Sequence, residues 1–378
     1  MPILLYGCRG VAPRVRNQIL VGAAQEQLAR IPDGSVQCCV TSPPYYGLRD
    51  YGMAGQLGQE ATLQQYVQSL VNVFREVRRV LRDDGLLWLN LGDSYAQEKG
   101  HGHWTSQQAK GDENGQRVRK FWAARGAEDF GLKPKDMMGV PWRVAFALQD
   151  DGWYLRSDVI WSKPNCMPES VSDRPTKSHE YVFLLSKSRY YFYDQDAIRE
   201  PHTMTPQRRL SRVEDRETFG QRQPHTEAGY RLRPEVGIDG HSNGRNKRTV
   251  WNINPKPYKG AHFAVMPEEL ASICIKAGTS ERGCCSKCGA PWRRRFNPET
   301  KAQAGWAPGC TCEAGIEPCL VLDPFSGAGT TAVTAARLGR AYLGVELNPS
   351  YVELALKRLA PVLDVRAQQE VVAEFWHE

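Results

Sequence analysis

The residues best suited to chemistry form a short corner, Thr41-Ser42-Pro43-Pro44-Tyr45, which follows an apolar run near the start of the chain. Ser42 offers a hydroxyl oxygen and Pro43 a backbone carbonyl, so together they could accept hydrogen bonds from both N–H bonds of a planar amine. The two prolines restrict the backbone and keep the residue before each of them out of helical conformation. Tyr45 adds an aromatic ring that could stack on a flat ligand. The corner therefore predicts a site that grips a planar amine.

A glycine-rich turn near the other end of the chain indicates a second site. The turn is DPFSGAGTT at 323–331, and it follows the apolar run CLVL. Gly327 and Gly329 allow the backbone to turn tightly and approach a ligand, and a helix is predicted to begin at Thr330. The next predicted strand ends in Glu346, where a carboxylate is placed to bind ribose hydroxyls. This order of turn, helix, strand and acid predicts a nucleoside site, although Phe-x-Gly-x-Gly differs from the dinucleotide fingerprint.

Cysteine spacing indicates a metal site. Four cysteines form two close pairs, Cys285 with Cys288 and Cys310 with Cys312. Four thiolates would saturate tetrahedral zinc and leave no open position, so the metal would be structural. We therefore predict a small zinc ribbon at 284–312. Cys284 could replace Cys285 as a ligand, and unliganded thiols are the alternative.

A basic segment separates these features. Residues 197–250 contain few aliphatic side chains, and residues 201–250 contain ten Lys or Arg against six Asp or Glu. Basic side chains contact nucleic-acid phosphates, and arginine forks also reach base edges. Arg208, Arg209 and Arg212 are the candidate contacts. A solvated, disordered segment is the competing interpretation.

The elements around these motifs alternate between strand and helix, which indicates an α/β fold. Predicted strands are NQILVG, SVQCCV, GLLWLNLGDS, WYLRSDVIW, EYVFLLSKS, CLVLDPF and RAYLGVEL. Predicted helices are AAQEQLARI, residues 62–82, VPWRVAFALQDDG and TTAVTAARLG. Continuous apolar strands are typical of a parallel sheet. Residues 97–135 interrupt the alternation and are expected to form a lid or a solvated loop. Asp93, at a strand end, is expected to cap a structural element.

Composition excludes membrane-spanning and disulfide-framework classes. The 378 residues carry a formal net charge of +7, with 41% hydrophobic and 24% charged residues, as in an ordinary globular protein. No run approaches the ~20 apolar residues of a membrane span. Residues 1–17 contain too short an apolar run for a secretory signal, so none is expected there. Eleven cysteines without an export signal are typical of reduced thiols and metal ligands. We expect a cytoplasmic protein with a polyanionic partner.

The corner and the glycine-rich turn, in this order, resemble the DNA amino-methyltransferases of the permuted class, whose cofactor motif follows the catalytic motif. The resemblance spans most of the chain. It implies a Rossmann-like, circularly permuted fold that depends on S-adenosylmethionine. By this resemblance, residues 1–196 form the catalytic half, 197–250 an inserted target-recognition region, and 251–378 the cofactor half with the zinc ribbon.

The same resemblance implies roles for particular residues. The catalytic residues would be Ser42, Pro43, Pro44 and Tyr45. The cofactor pocket would be lined by Asp323, Phe325, Gly327, Gly329, Thr330 and Glu346, with Phe263 and Pro267 closing over the methionine end. One departure is that Val21-Gly22-Ala23 stands where relatives often have Gly-Asp, so a carboxylate that assists adenosine binding is absent.

The implied reaction is methyl transfer to the exocyclic amine of a base flipped out of double-stranded DNA. Ser42 favours cytosine N4 in this family, and adenine N6 is the alternative. Methylation of RNA or of a protein glutamine, a nicotinamide-dependent oxidoreductase and a catalytically inactive DNA-binding protein are more distant alternatives. A monomer and a homodimer both fit, and a cognate restriction endonuclease is a candidate partner.

Overall fold

The computed structural model describes residues 16–96, 130–201, 244–256, 265–298 and 303–375. The strands in these stretches are β1 (Gln18–Val21), β2 (Val36–Thr41), β3 (Leu81–Leu91), β4 (Tyr154–Ser162), β5 (His179–Ser186), β6 (Val250–Asn252), β7 (Cys284–Cys285), β8 (Arg293–Phe296), β9 (Gln303–Ala307), β10 (Ile316–Glu317), β11 (Leu320–Asp323) and β12 (Ala341–Glu346). The α-helices are α1 (Ala24–Leu28), α2 (Leu63–Val80), α3 (Val140–Asp150), α4 (Glu268–Gly278), α5 (Thr330–Arg337) and α6 (Pro349–Phe375).

Eight strands form one sheet in the order β1-β12-β11-β2-β3-β5-β4-β6. Its strands are parallel except that β5 runs antiparallel to both β3 and β4. The expectation of a parallel sheet is therefore wrong at β5. The described connection from β4 to β5 contains no helix, and only a parallel pair requires a long crossover.

The sheet joins strands from the first and the last parts of the described residues. β1 pairs in parallel with β12, so Gln18 lies opposite Leu343. β11 pairs in parallel with β2, and Leu322 lies opposite Cys39. Strands that the sequence assigns to the catalytic half and to the cofactor half are therefore interleaved within one sheet: β11 and β12 lie between β1 and β2.

Apolar side chains cover both faces of this sheet. One buried cluster contains Leu28 of α1, Phe74 of α2 and Leu148 of α3. The other contains Ile275 of α4 and Val333 of α5. The result is a three-layer α/β/α fold, in which the continuous apolar strands are buried on both sides.

The succession of strands reverses between β2 and β11. From β2 the chain passes through α2 to β3 on one side, and from β11 it passes through α5 to β12 on the other side. The helices α2 and α5 lie on opposite faces of the sheet. In such sheets a crevice opens at the carboxyl ends of the strands flanking the reversal. Both sequence motifs follow these two strands.

Each of the two predicted inserted segments is flanked by residues that pair with each other. Tyr95 and Met137 form a bridge on either side of the predicted insertion at 97–135, of which 97–129 lie outside the described residues. Glu200 and Arg245 pair through both backbone hydrogen bonds, at 2.9 Å each. Residues 202–243 of the predicted recognition region lie between them and outside the described residues. Across the described stretches, no helix is long and apolar enough to cross a membrane.

Candidate active site

A cavity of about 460 Å³ opens at the carboxyl ends of β2, β11 and β12. The corner contributes Ser42, Pro43, Pro44 and Tyr45 to its wall. The glycine-rich turn and the strand after it contribute Asp323, Phe325, Gly327, Thr330 and Glu346. Motifs almost 300 residues apart in sequence therefore line the same cavity.

The glycine-rich turn needs its glycines for conformation and for space. Gly327 and Gly329 have φ of 51° and 75°, in the left-handed region that favours glycine. A Cβ on Gly329 would lie 2.6 Å from the Cβ of Ala355, so this glycine allows α5 to approach α6. A Cβ on Gly327 would meet no heavy atom within 4 Å, so the backbone there borders open space. Gly327 thus presents backbone to the cavity near the start of α5, whereas Gly329, also predicted to line it, packs against α6 instead.

Glu346 ends β12 beside this turn. One carboxylate oxygen accepts a hydrogen bond from Gly327 N at 2.7 Å, and the other accepts one from Asn348 N at 2.9 Å. Burial raises the pKa of Glu346, and these backbone N–H groups partly offset the increase. A carboxylate can accept about four hydrogen bonds, so this one has capacity for ribose hydroxyls.

Asp323 connects the two motifs directly. Its Oδ1 accepts hydrogen bonds from Thr41 Oγ1 at 2.6 Å and from Phe325 N at 3.1 Å. Burial raises its pKa to about 6 despite these donors, and Glu346 contributes to the increase. Asp323 lines the cavity, and its carboxylate also holds the corner strand against the glycine-rich turn.

Helix α2 supports the corner through a hydrogen bond. Tyr66 in α2 donates a hydrogen bond from its hydroxyl to the carbonyl of Pro44 at 2.7 Å. One side of the Tyr45 ring lies against Gly92, because a Cβ on Gly92 would be 2.7 Å from Tyr45 Cε2. The ring position is therefore fixed by close packing.

Sequence reasoning missed a polar network beside the corner. The Tyr45 hydroxyl donates to Glu180 Oε2 at 2.7 Å, and Asn90 Nδ2 donates to the same oxygen at 3.0 Å. Lys163 forms a close ion pair with Glu180 Oε1 and lies 4.3 Å from the centroid of the Trp161 ring. The other residues of this network, Asn90, Trp161, Lys163 and Glu180, all line the cavity with Tyr45. Their position at or beside the ends of β3, β4 and β5 was the available signal.

Other predictions near the cavity have mixed outcomes. Asp93 accepts hydrogen bonds from Gly139 N at 3.1 Å and Val140 N at 2.9 Å, which confirms its role as a cap, here for α3. Pro267 is buried at the start of α4 and does not line the cavity, whereas Val265 and Met266 just before it do. Phe263 lies outside the described residues.

A family described as DNA methylase, comprising N6 and N4 methyltransferases, matches residues 36–357. The chain belongs to this DNA methylase family. Type II methyltransferase M.SmaI of Serratia marcescens is 42% identical over 342 residues, which cover 90% of each chain. Type II methyltransferase M.Cfr9I of Citrobacter freundii is 42% identical over 338 residues, which cover 89% of this chain and 86% of the relative.

The solved structure of PvuII DNA methyltransferase (cytosine-N4-specific) shares the fold of this methylase, with a TM-score of 0.53 and 16% identity. The alignment covers 95% of this chain and 94% of that one. The Rossmann-like methyltransferase fold predicted from the motifs is confirmed, and so is the assignment to the DNA amino-methyltransferases. Family membership also decides against the nicotinamide-dependent oxidoreductase.

The four predicted zinc ligands of the methylase come together. The Sγ atoms of Cys285, Cys288, Cys310 and Cys312 all lie within 4.8 Å of one another. Burial raises the pKa of Cys285. Hydrogen bonds from the backbone N–H groups of Cys288 and Lys287, together with those from the thiols of Cys310 and Cys288, outweigh burial and bring the pKa to about 7. Cys284 lies on the other side of strand β7, with its Sγ 3.7 Å from the Pro318 carbonyl, so it does not join the cluster. The sequence alternative with Cys284 as a ligand is therefore not supported.

The predicted DNA contacts of the methylase, Arg208, Arg209 and Arg212, lie outside the described residues. Only the base of that segment is seen. Glu200 there forms ion pairs with Arg245 at 3.1 Å and with Lys247 at 3.6 Å. These contacts fix where the segment leaves the sheet.

Proposed function

We propose that this DNA methylase transfers a methyl group from S-adenosylmethionine to the N4 amine of a cytosine flipped out of duplex DNA. The observation that carries the proposal is the shared cavity. The corner suited to an amine and the turn suited to a nucleoside line one space, and the Thr41–Asp323 hydrogen bond joins them.

The residues on the cofactor side fit an adenosyl group. Glu346 retains acceptor capacity for ribose hydroxyls, and the open side of Gly327 allows close approach of a ligand to the backbone. Phe325 supplies an aromatic wall. When bound, S-adenosylmethionine supplies an electrophilic methyl group on a sulfonium sulfur. Gly22 and Ala23 line the same side without the carboxylate that relatives often have there.

The corner would hold the amine for attack. The lone pair of a base amine is delocalised into the ring, so the amine becomes a better nucleophile when acceptors engage its N–H bonds. Ser42 Oγ and the Pro43 carbonyl supply these acceptors, and Tyr45 supplies a stacking surface. Flipping the base costs a few kcal/mol, and holding it at reactive distance offsets this cost. The amine becomes acidic as it is methylated, so water can take its proton and no general base is required.

Two observations favour cytosine over adenine. Ser42 occupies the corner position that the resemblance associates with N4 methylation. Lys163 lines the cavity and keeps two N–H bonds beyond the one directed to Glu180. Cytosine presents two adjacent acceptors, N3 and O2, beside its amine, whereas adenine presents one acceptor and then a C–H group. A lysine donor therefore suits cytosine better.

The experiment is nucleoside mass spectrometry of unmethylated plasmid DNA after incubation with the protein and S-adenosylmethionine bearing a heavy methyl group. We expect the label only in N4-methylcytosine. Label in N6-methyladenine would establish the alternative and overturn the cytosine assignment. A parallel reaction without protein is the control.

We also propose that the four-cysteine cluster holds a structural zinc ion. Zinc bound by four thiolates at about 2.3 Å brings the sulfur atoms to about 3.8 Å from one another. The four Sγ atoms lie within 4.8 Å of one another, so a small adjustment of the side chains would let them bind zinc. The cluster lies at the amino ends of the strands, away from the cavity. Arg82 in β3 donates to the Cys288 carbonyl, and Gln37 in β2 donates to the Gly289 carbonyl at 3.1 Å. The ribbon would therefore stabilise the sheet and take no part in the chemistry.

We infer that the basic segment at 197–250 recognises the DNA target. The support is the arginine content of this segment, together with the backbone pairing of Glu200 with Arg245 on either side of its central part. Arg208, Arg209 and Arg212 would contact phosphates or base edges. A cognate restriction endonuclease and the choice between monomer and homodimer stay predictions of the sequence.

A further inference from the structure

The Ser42 hydroxyl can act in two opposite ways. A serine hydroxyl carries one proton and two lone pairs, so it can either donate or accept. Only as an acceptor from the amine N–H can Ser42 increase the nucleophilicity of the amine. Some other group must therefore take the serine proton.

The contacts of Tyr45 determine the direction of that proton. The Tyr45 hydroxyl donates its single proton to Glu180 Oε2 at 2.7 Å. Ser42 Oγ lies 3.4 Å from the same hydroxyl and can only donate to it, because the tyrosine proton is already engaged. Burial and the neighbouring Glu180 raise the pKa of Tyr45 well above its usual value, so it stays a donor. The lone pairs of Ser42 are then left for the amine.

Glu180 is held firmly enough to set this direction. Its two oxygens contact three donors: Tyr45, Asn90 and Lys163. The side chains of Glu180 and Lys163 are only 16% and 19% exposed. Asn90 is itself fixed by a second hydrogen bond, from Nδ2 to the Tyr181 carbonyl at 3.1 Å. The carboxylate thus has a fixed position and a balanced charge at the cavity wall.

We propose that Glu180 is a positioning residue that directs the hydrogen bonds from Ser42 to Tyr45 and from Tyr45 to itself, so that Ser42 accepts from the target amine. This proposal rests on the proposed function of the corner, but not on which base carries the amine. Lys163 and Asn90 support Glu180, and Gly92 fixes the Tyr45 ring.

A double-mutant cycle on single-turnover methyl transfer tests this. The variants are Glu180→Gln, Tyr45→Phe and the two together. Each single change should lower the rate at saturating DNA and cofactor by about tenfold or more, by analogy with loss of a preorganised polar contact. Because both changes interrupt one chain, the double variant should be no slower than the slower single variant. The Michaelis constants should stay within about threefold, since Phe keeps the stacking ring.

The matched control is Glu169→Gln. Glu169 lies in the connection that leads from β4 to β5 and accepts a hydrogen bond from Arg174 at 2.6 Å, but it does not line the cavity. Its replacement should leave the rate unchanged. Calorimetric binding of S-adenosylmethionine would verify that each variant is folded.

Multiplicative effects of the two changes, or a normal rate for Tyr45→Phe, would overturn the proposal. A normal rate for Tyr45→Phe would overturn the proposal even if Glu180→Gln does not fold. If the label appears in adenine, the cytosine assignment fails while the coupling between Tyr45 and Glu180 can still hold. The two failures are therefore distinguishable.

Discussion

At the scale of single residues, Asp323 has an unusual position for a carboxylate. It is 5% exposed and receives hydrogen bonds from both the corner strand and the glycine-rich turn. Its pKa nevertheless rises to about 6, because burial disfavours the charged form more than the donors favour it. The residue that joins the two motifs therefore holds its proton more tightly in the folded protein than in the unfolded chain.

This gives a prediction for stability against pH. Because the folded-state pKa of Asp323 is raised, its contribution is most favourable below about pH 4, and it is lost as pH rises through about 6. Asp323→Asn does not titrate there. The unfolding free energy of the wild type, relative to that variant, should fall by up to about 3 kcal/mol across this window and stay constant above it. Urea unfolding of both proteins from pH 4 to 7 would measure it, and parallel curves would refute it.

At the scale of elements, local pattern sufficed for most of the central sheet. Apolar runs and helical spacing located β1, β2, β4, β5, β11 and β12 and the helices α1, α2, α3 and α5, because these elements bury faces that the sequence displays. β3 begins earlier than predicted, at Leu81, because a bulge extends its pairing with Val36 beyond the apolar run. Boundaries of this kind depend on the partner strand.

The missed part of the site depended on strand order. Asn90, Lys163 and Glu180 meet only because β5 inserts antiparallel between β3 and β4. No spacing along the chain encodes that neighbourhood. Likewise, the choice of Cys285 over Cys284 followed from which side of β7 each side chain occupies, a point decided by pairing with β10.

Zinc binding by the proposed ribbon can be measured directly. Freshly purified protein should contain about one zinc ion per chain. Cys288→Ser should lose the metal and lower the thermal midpoint, since the Arg82 and Gln37 contacts depend on the ribbon. Cys166→Ser, at a half-buried cysteine outside the cluster, is the matched control and should retain zinc. Metal analysis by mass spectrometry showing no zinc in the wild type would refute the proposed site.

At the scale of the whole molecule, the fold brings β2, from the first part of the chain, beside β11, from its last part, at one reversal point in the sheet. Thr41 and Asp323 are 282 residues apart in sequence and 2.6 Å apart in space. The strands that carry them are neighbours, while their helices lie on opposite faces. This arrangement brings the corner and the glycine-rich turn to one cavity although the turn follows the corner far along the chain.

The most direct test of the central claim is single-turnover transfer of a labelled methyl group by Ser42→Ala, with cofactor affinity measured alongside. The change removes one acceptor for the amine and leaves both prolines and Tyr45 in place. We expect a rate roughly 10²-fold lower, as for loss of one preorganised polar contact in an active site. Affinity for S-adenosylmethionine should be unchanged, because Ser42 belongs to the base side of the cavity. A normal rate of DNA methylation by Ser42→Ala would contradict the account and reduce the corner to a structural turn.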